Sequence, residues 1–292
     1  MLNYSEAYSK ALDQAYPNVL RFGALWNAEN RNKYQFVDAK TIKIPHISTK
    51  GRVDGNRDAI GTITRNHDND WETKTLRNHR TWSTLIHPKD VIETNQVATI
   101  QNATKVMNEE QKFPELDARL ISSVYAEKIA KSGAAKEESL TLANVLTIFD
   151  ELMDQMDEAL IPANGRILYV DTFTKTLIDN AKDVVRTSGN KVIGRTVSRI
   201  DEVEVIGVPT MLMKTKYDFT EGAVVAEDAK DIAMFLVHPG AVLPVVSYDF
   251  AQLEAPSAMS TGKWVYFEES FEDVFLLDHK VGAVAFVLKK AE

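Results

Sequence analysis

Apolar side chains recur at spacings of three and four over a longer stretch between Asp90 and Gly133 than anywhere else in the chain. Asp90 with Glu93 marks a helix start, and Gly133 after Lys128 and Lys131 marks a stop. Ile92, Ile100, Ala103 and Met107 make a thin stripe, and Leu116, Leu120 and Val124, beside Ile121, Tyr125 and Ile129, make a fuller one. Pro114 interrupts them. A proline there removes a hydrogen bond and crowds the preceding turn, so the pattern predicts a long spine helix bent at Phe113-Pro114. Forty-odd residues of helix would run roughly 60 Å, so another element or another subunit must lie alongside.

On either side the pattern changes. Residues 1–32 scatter Tyr4, Tyr8, Leu12, Tyr16, Phe22, Leu25 and Trp26 around Pro17 and Gly23, which reads as an arm packed on the body or on a neighbour, or as a helix in its own core. Ile42, Ile44 and Ile47 alternate across Pro45 as a strand near an edge. From Ser48 to Trp82 large apolar residues are sparse and charges dense, while Trp71 onward alternates like a strand with two polar faces. The segment reads as an extended hairpin completed by another chain, or as a solvated insertion.

After a polar joint at Lys136–Ser139, Thr141 should cap a second helix through Leu142, Val145, Leu146, Phe149, Leu152, Met153, Met156 and Leu160. A buried-type strand follows at Ile167–Val170, and then a third helix, capped by Asp171 or Thr172 and ended by Gly189-Asn190. Further strands are expected at Val203–Ile206, Thr210–Met213, Ile232–Val237, Val242–Val246, Trp264–Phe267, Val274–Leu277 and Ala283–Leu288, with an exposed acidic loop from Lys214 to Asp231. Helix, strand and helix followed by sheet predicts a mixed α+β fold.

Composition narrows the function. The 292 residues, 44% hydrophobic and 26% charged, are those of a folded protein, and a formal charge of −8 disfavours a broad grip on nucleic acid. The absence of cysteine excludes disulfides, thiolate zinc sites and thiol nucleophiles. The N-terminus lacks a signal-peptide pattern, and no apolar run approaches a membrane span, which points to a protein made in the cytoplasm. No GxSxG, P-loop, HExxH or GxGxxG occurs, and the six histidines form no ligand-spaced pair. His67 with Asp68 and Asp70 fits a solvated turn better than a cation site. Asp150, Glu151, Asp154, Asp157 and Glu158 fall between the apolar positions of their helix and read as its wet face. The glycines of Gly189–Arg195 suit a hairpin turn better than a phosphate loop.

Four phrases, taken in order, carry more than any motif: Phe36–Pro45 entering the flap, Trp71-Glu72-Thr73 on its return, Pro114-Glu115-Leu116-Asp117-Ala118 in the spine, and Asp278-His279-Lys280 in the last hairpin. With the arm, flap, spine and terminal sheet, the chain resembles the major capsid protein of tailed bacteriophages, the Hong Kong 97-like capsid fold also shared by encapsulins. The resemblance implies an N-terminal arm at 1–32, an extended β-hairpin loop at 33–86, a spine helix of the peripheral domain at 87–138, an axial domain at 139–254, and C-terminal strands of the peripheral domain at 255–292. It implies a non-enzymatic protein that assembles into pentamers and hexamers of an icosahedral shell around double-stranded DNA, located in the virion and assembled in the host cytoplasm. No catalytic, cofactor or metal residue is expected.

Carried onto this sequence, Arg52, Arg57, Arg65, Trp71, Lys74, Arg77, Arg80 and Trp82 are the expected intersubunit contacts of the loop. Tyr217, Asp218, Phe219, Glu221, Glu227 and Asp228 are candidates for the axial tip. The short arm implies a separate scaffolding protein, with a portal, weak non-specific contact to the packaged DNA, and room for a decoration protein. Asparagine is absent after Asn190, which implies a shell without Lys to Asn cross-links. An encapsulin-type compartment shares the architecture, and a cytosolic acid/base enzyme with the flap as a lid is the reading from a different class.

Overall fold

The structure is a computed structural model that describes residues 18–27, 34–38, 40–52, 65–94, 99–133, 135–185, 199–200 and 203–290. Most of the expected arm, the middle of the flap with Arg57, the Gly189-Asn190 stop and the glycines at 189–195 lie outside these residues.

A short helix α1 (Gly23–Trp26) precedes the strands β1 (Gln35–Phe36), β2 (Thr41–Thr49), β3 (His67–Thr75) and β4 (His79–Ile86). The expected spine is two helical stretches. Helix α2 (Pro88–Glu93) begins two residues before Asp90, with Pro88 at its first turn and His87 Nδ1 accepting from the Lys89 backbone N–H at 3.1 Å. Thr99 caps the next, accepting from the Asn102 N–H at 3.3 Å. From there α3 (Ile100–Met107) runs through a turn of π-helix (Asn108–Lys112) into α4 (Phe113–Ser132), closed by Gly133 at φ 86°. The break expected at Pro114 is this π-turn. Phe113 N–H reaches back five residues to Asn108 O, and the wider turn accommodates a proline ring that would collide in an α-turn.

Next come β5 (Lys136–Glu138), α5 (Val145–Glu158), β6 (Ile167–Asp171), α6 (Thr172–Val185), β7 (Arg199–Ile200) and β8 (Val203–Val208). Helix α5 starts four residues after the expected cap, because Asn144 Oδ1 accepts from the Thr141 N–H and folds 141–144 into a turn. It also ends before Leu160, which is 90% exposed in a left-handed conformation and belongs to no apolar stripe. Asp171 caps α6, accepting from the Thr174 N–H at 3.0 Å.

Thr210–Leu212 forms a 3₁₀ turn, where the sequence suggested a strand. The remaining strands are β9 (Tyr217–Asp218), β10 (Val224–Val225), β11 (Ile232–Val237), β12 (Val242–Glu254), β13 (Trp264–Leu276) and β14 (Val284–Lys289). The two strands expected at 264–267 and 274–277 are the ends of the single strand β13.

A six-stranded mixed sheet, ordered β5-β14-β11-β6-β8-β7, forms the centre. Alternation along its strands sends Ile167, Tyr169, Phe235 and Phe286 to one face, where Leu120, Ile121 and Val124 of α4 and Phe22, Leu25 and Trp26 cover them. Leu168, Val170, Met234, Leu236, Ala285 and Val287 point the other way, under α5 and α6. A second sheet, β12-β13-β4, packs on α4, and β1-β2-β3 forms the flap.

Candidate assembly interface

The flap is an antiparallel hairpin. Strands β2 and β3 pair from Thr41↔Thr75 to Thr49↔His67, and the ladder continues with Lys50 N–H to Asn66 O at 2.9 Å. Its base is buried: Ile42, Ile44 and Leu76 join Leu243, Val245, Phe271, Phe275 and Leu277, with Tyr34 alongside. Beyond Ile44 the apolar alternation lapses, and residues 67–71 of β3 are all exposed. Pro45 lies past the short pairing with β1, where β3 is the one neighbouring strand among the described residues. Ile47 at 65% exposure and Trp71 at 41% are large apolar side chains on an otherwise polar ribbon.

An ion network fastens the base. Lys74 Nζ lies 2.9 Å from Glu72, 3.2 Å from Asp278 and 4.0 Å from Glu127, and Lys131 joins Glu127 at 3.1 Å and pairs with Asp278. Glu127 also accepts from the Leu276 N–H at 3.0 Å, and Lys131 donates to Leu276 O at 2.7 Å. Hairpin, spine and the end of β13 therefore meet at one point. Burial, reinforced by the neighbouring Asp278, pushes Glu72 up. Burial also pushes Asp278 up, but bonds from Lys131, Glu72 and Lys74 outweigh it and hold the carboxyl at about 2. Beside the network the rings of His46 and His279 stack with centroids 5.0 Å apart.

The expected loop contacts divide into three groups. Arg52, Arg65 and Trp71 lie on the free half of the hairpin, Arg65 donating from Nε to His67 O at 3.1 Å. Lys74 is in the network. Arg77, Arg80 and Trp82 sit on the body: the Arg77 N–H donates to Asp273 at 3.0 Å, and Trp82 lies 5.6 Å from the Tyr266 ring. Arg80 bonds Glu115 through Nε at 2.5 Å and Nη2 at 3.0 Å, and Phe219 O through Nη1 at 2.7 Å.

The candidate tip residues divide as well. Tyr217 is buried, donating to Met211 O at 2.9 Å and accepting from the Lys214 N–H at 3.1 Å, and Phe219 lies under the Arg119 guanidinium at 5.1 Å. These two hold the loop onto the spine. Asp218, Glu221, Glu227 and Asp228 are exposed; Asp218 orders its turn through the Thr220 N–H at 2.9 Å and hydroxyl at 2.6 Å, and Asp228 pairs with Lys216 at 2.6 Å.

His67, Asp68 and Asp70 lie along the exposed end of β3, and the acidic residues of α5 line its wet side, Asp157 reaching buried Arg166 at 2.5 Å. Among the described residues no group of three or more His, Asp or Glu is placed to hold a metal ion. Glu127 and Asp273, which tie spine to sheet, escaped the sequence reading because their partners lie some 150 to 200 positions away.

A projecting hairpin, a long helix behind a small sheet and a layered α/β body define the capsid fold of tailed-phage shells. The chain is similar to the mature capsid of bacteriophage PhiM1 at 13% identity and TM-score 0.65, over 87% of this chain and 83% of that one. It is also similar to the capsid of the cyanophage P-SCSP1u at 11% identity and TM-score 0.63, over 96% and 90%, and to the head structure of the Helicobacter pylori bacteriophage KHP40 at 12% and 0.56, over 88% and 86%. No protein-family model and no curated protein matches the chain by sequence.

Proposed function

We propose that this chain is a major capsid protein that self-assembles into the icosahedral shell of a tailed phage, enclosing its double-stranded DNA. The observation that carries the reading is the hairpin: its base is clamped by apolar packing and ions, while its outer half leaves Ile47, Trp71, Arg52 and Arg65 exposed. Such a ribbon suits a surface completed by a neighbour, where a few aromatic and arginine side chains supply most of the binding energy. The shared fold with phage capsids supports the same role.

In this reading the work of the protein is assembly without catalysis, its place is the virion, and its first partner is another copy of itself. The exposed carboxylates Asp218, Glu221, Glu227 and Asp228 face neighbours around a symmetry axis. A net charge of −8 keeps contact with the packaged DNA weak.

Negative-stain imaging of the purified protein, alone and co-expressed with its neighbouring genes, tests the proposal. Closed icosahedral particles containing DNA are expected. Particles enclosing a cargo protein would move the assignment to an encapsulin-type compartment, and a uniform small oligomer under every condition would overturn the shell.

A further inference from the structure

Asp117, in the first turns of α4, is 1% exposed. Its Oδ2 accepts the Arg21 N–H at 2.8 Å and its Oδ1 the Phe22 N–H at 3.0 Å, so both oxygens are committed to a segment 95 to 96 residues away. That segment is held by packing as well. Phe22 lies against Tyr169, with ring centroids 4.7 Å apart, and 6.2 Å from Phe235, while Leu25 and Trp26 are buried in the same cluster.

The groups around this carboxylate do not neutralise it. The Arg21 side chain is exposed, and no described Lys, Arg or His pairs with Asp117. Tyr169 from β6 and Tyr217 from β9 are the other titratable groups bearing on it, and burial pushes both phenols further up, so both stay neutral. The Tyr169 hydroxyl is itself buried without a hydrogen-bond partner among the described residues. Two neutral amide donors replace only part of a carboxylate's hydration, so the docked segment disfavours the charged form.

We propose that Asp117 is a pH-dependent latch for residues 18–27, holding this N-terminal segment on the spine more tightly with the carboxyl neutral than with it ionised. Lifting the segment readmits water to the carboxylate and returns it toward ordinary acidity. In the docked state burial, outweighing the two N–H bonds and the charge of Arg21, puts the carboxyl at about 6 against an ordinary 3.8. The docked state therefore takes up its proton first as pH falls. Between neutrality and about pH 4, the docking equilibrium should strengthen on the order of a hundredfold. The latch requires only the folded chain and stands whether or not that chain builds a shell.

Amide hydrogen exchange of the full-length, unassembled protein reads this directly. After correction for intrinsic exchange rates, the amides of residues 21–26 should gain protection of roughly twenty-five-fold from about pH 7.5 to about pH 4.5, with β11 amides as the internal reference. The neutral variant Asp117→Asn should show a flat profile. Protection that stays constant or falls on acidification, or an Asn variant that keeps the wild-type slope, would overturn the latch. If the variant does not fold, the wild-type curve decides: an inflection near pH 6 confined to this segment supports the latch, and its absence rejects it.

Discussion

Lys74 of β3 and Asp278 of the turn after β13 approach to 3.2 Å across 204 positions of sequence, and through Glu127 and Lys131 this pair ties the hairpin to the spine. The ammonium is largely shielded by its side chain's 17% exposure, so its removal leaves Glu72 and Asp278 facing each other without a shared cation. Lys74→Met should lower the stability of the unassembled chain by about 1 to 2 kcal/mol in urea denaturation. It should also raise hydrogen exchange in β2 and β3 more than in β11.

Acid should act on the same joint. The Asp278 carboxyl is held at about 2, below its ordinary 3.8, so its stabilising contribution is complete above 3.8 and is lost as pH falls through 2. Glu72, raised by burial and by Asp278, takes up its proton before that limb is reached. Urea midpoints compared at about pH 5 and about pH 2 should fall more steeply for the wild type than for Asp278→Asn.

Substitution of Trp71 tests the proposed assembly separately from folding. It is exposed on the free half of the hairpin, so Trp71→Ala should change the stability of the isolated chain by no more than about 0.5 kcal/mol. Loss of an aromatic anchor at an interface should raise the concentration needed for shell formation at least about tenfold, followed by light scattering. Equal assembly by the variant would place the binding energy elsewhere.

Leu160 occupies φ 56° while 90% exposed, a conformation that glycine adopts without a Cβ penalty and from which leucine gains no packing. Leu160→Gly should stabilise the chain by about 1 kcal/mol, measured as a higher urea midpoint with unchanged slope. An unchanged or lower midpoint would show that the side chain contributes to the folded state.

What could be read in advance was whatever is encoded locally. The apolar steps of α5 from Val145 to Met156, the uninterrupted run Ile167–Val170 and the polar ribbon around Trp71 each announce their element within a few residues. Long-range compensation hid the rest. Glu268, Glu269 and Asp273 interrupt the apolar pattern of β13, but Lys112, His79 and Arg119 respectively supply distant partners that let one strand carry them. Leu212 and Met213 are buried as a strand would bury them, yet a 3₁₀ turn does so with fewer residues. Asp117 stood in the sequence only as part of the Pro114–Ala118 phrase, and its role as an acceptor was hidden because its partners lie 95 and 96 residues earlier.

The position of β14 has a consequence for how each copy is made. Among the six strands of the central sheet it leaves the ribosome last, yet it lies inside the sheet, joining β5 to β11. A nascent chain interrupted before Val284 cannot bridge those two strands, and its exposed β11 edge offers unpaired amides and carbonyls in place of a finished surface. A copy that lacks β14 therefore lacks the strand that joins the two parts of the sheet.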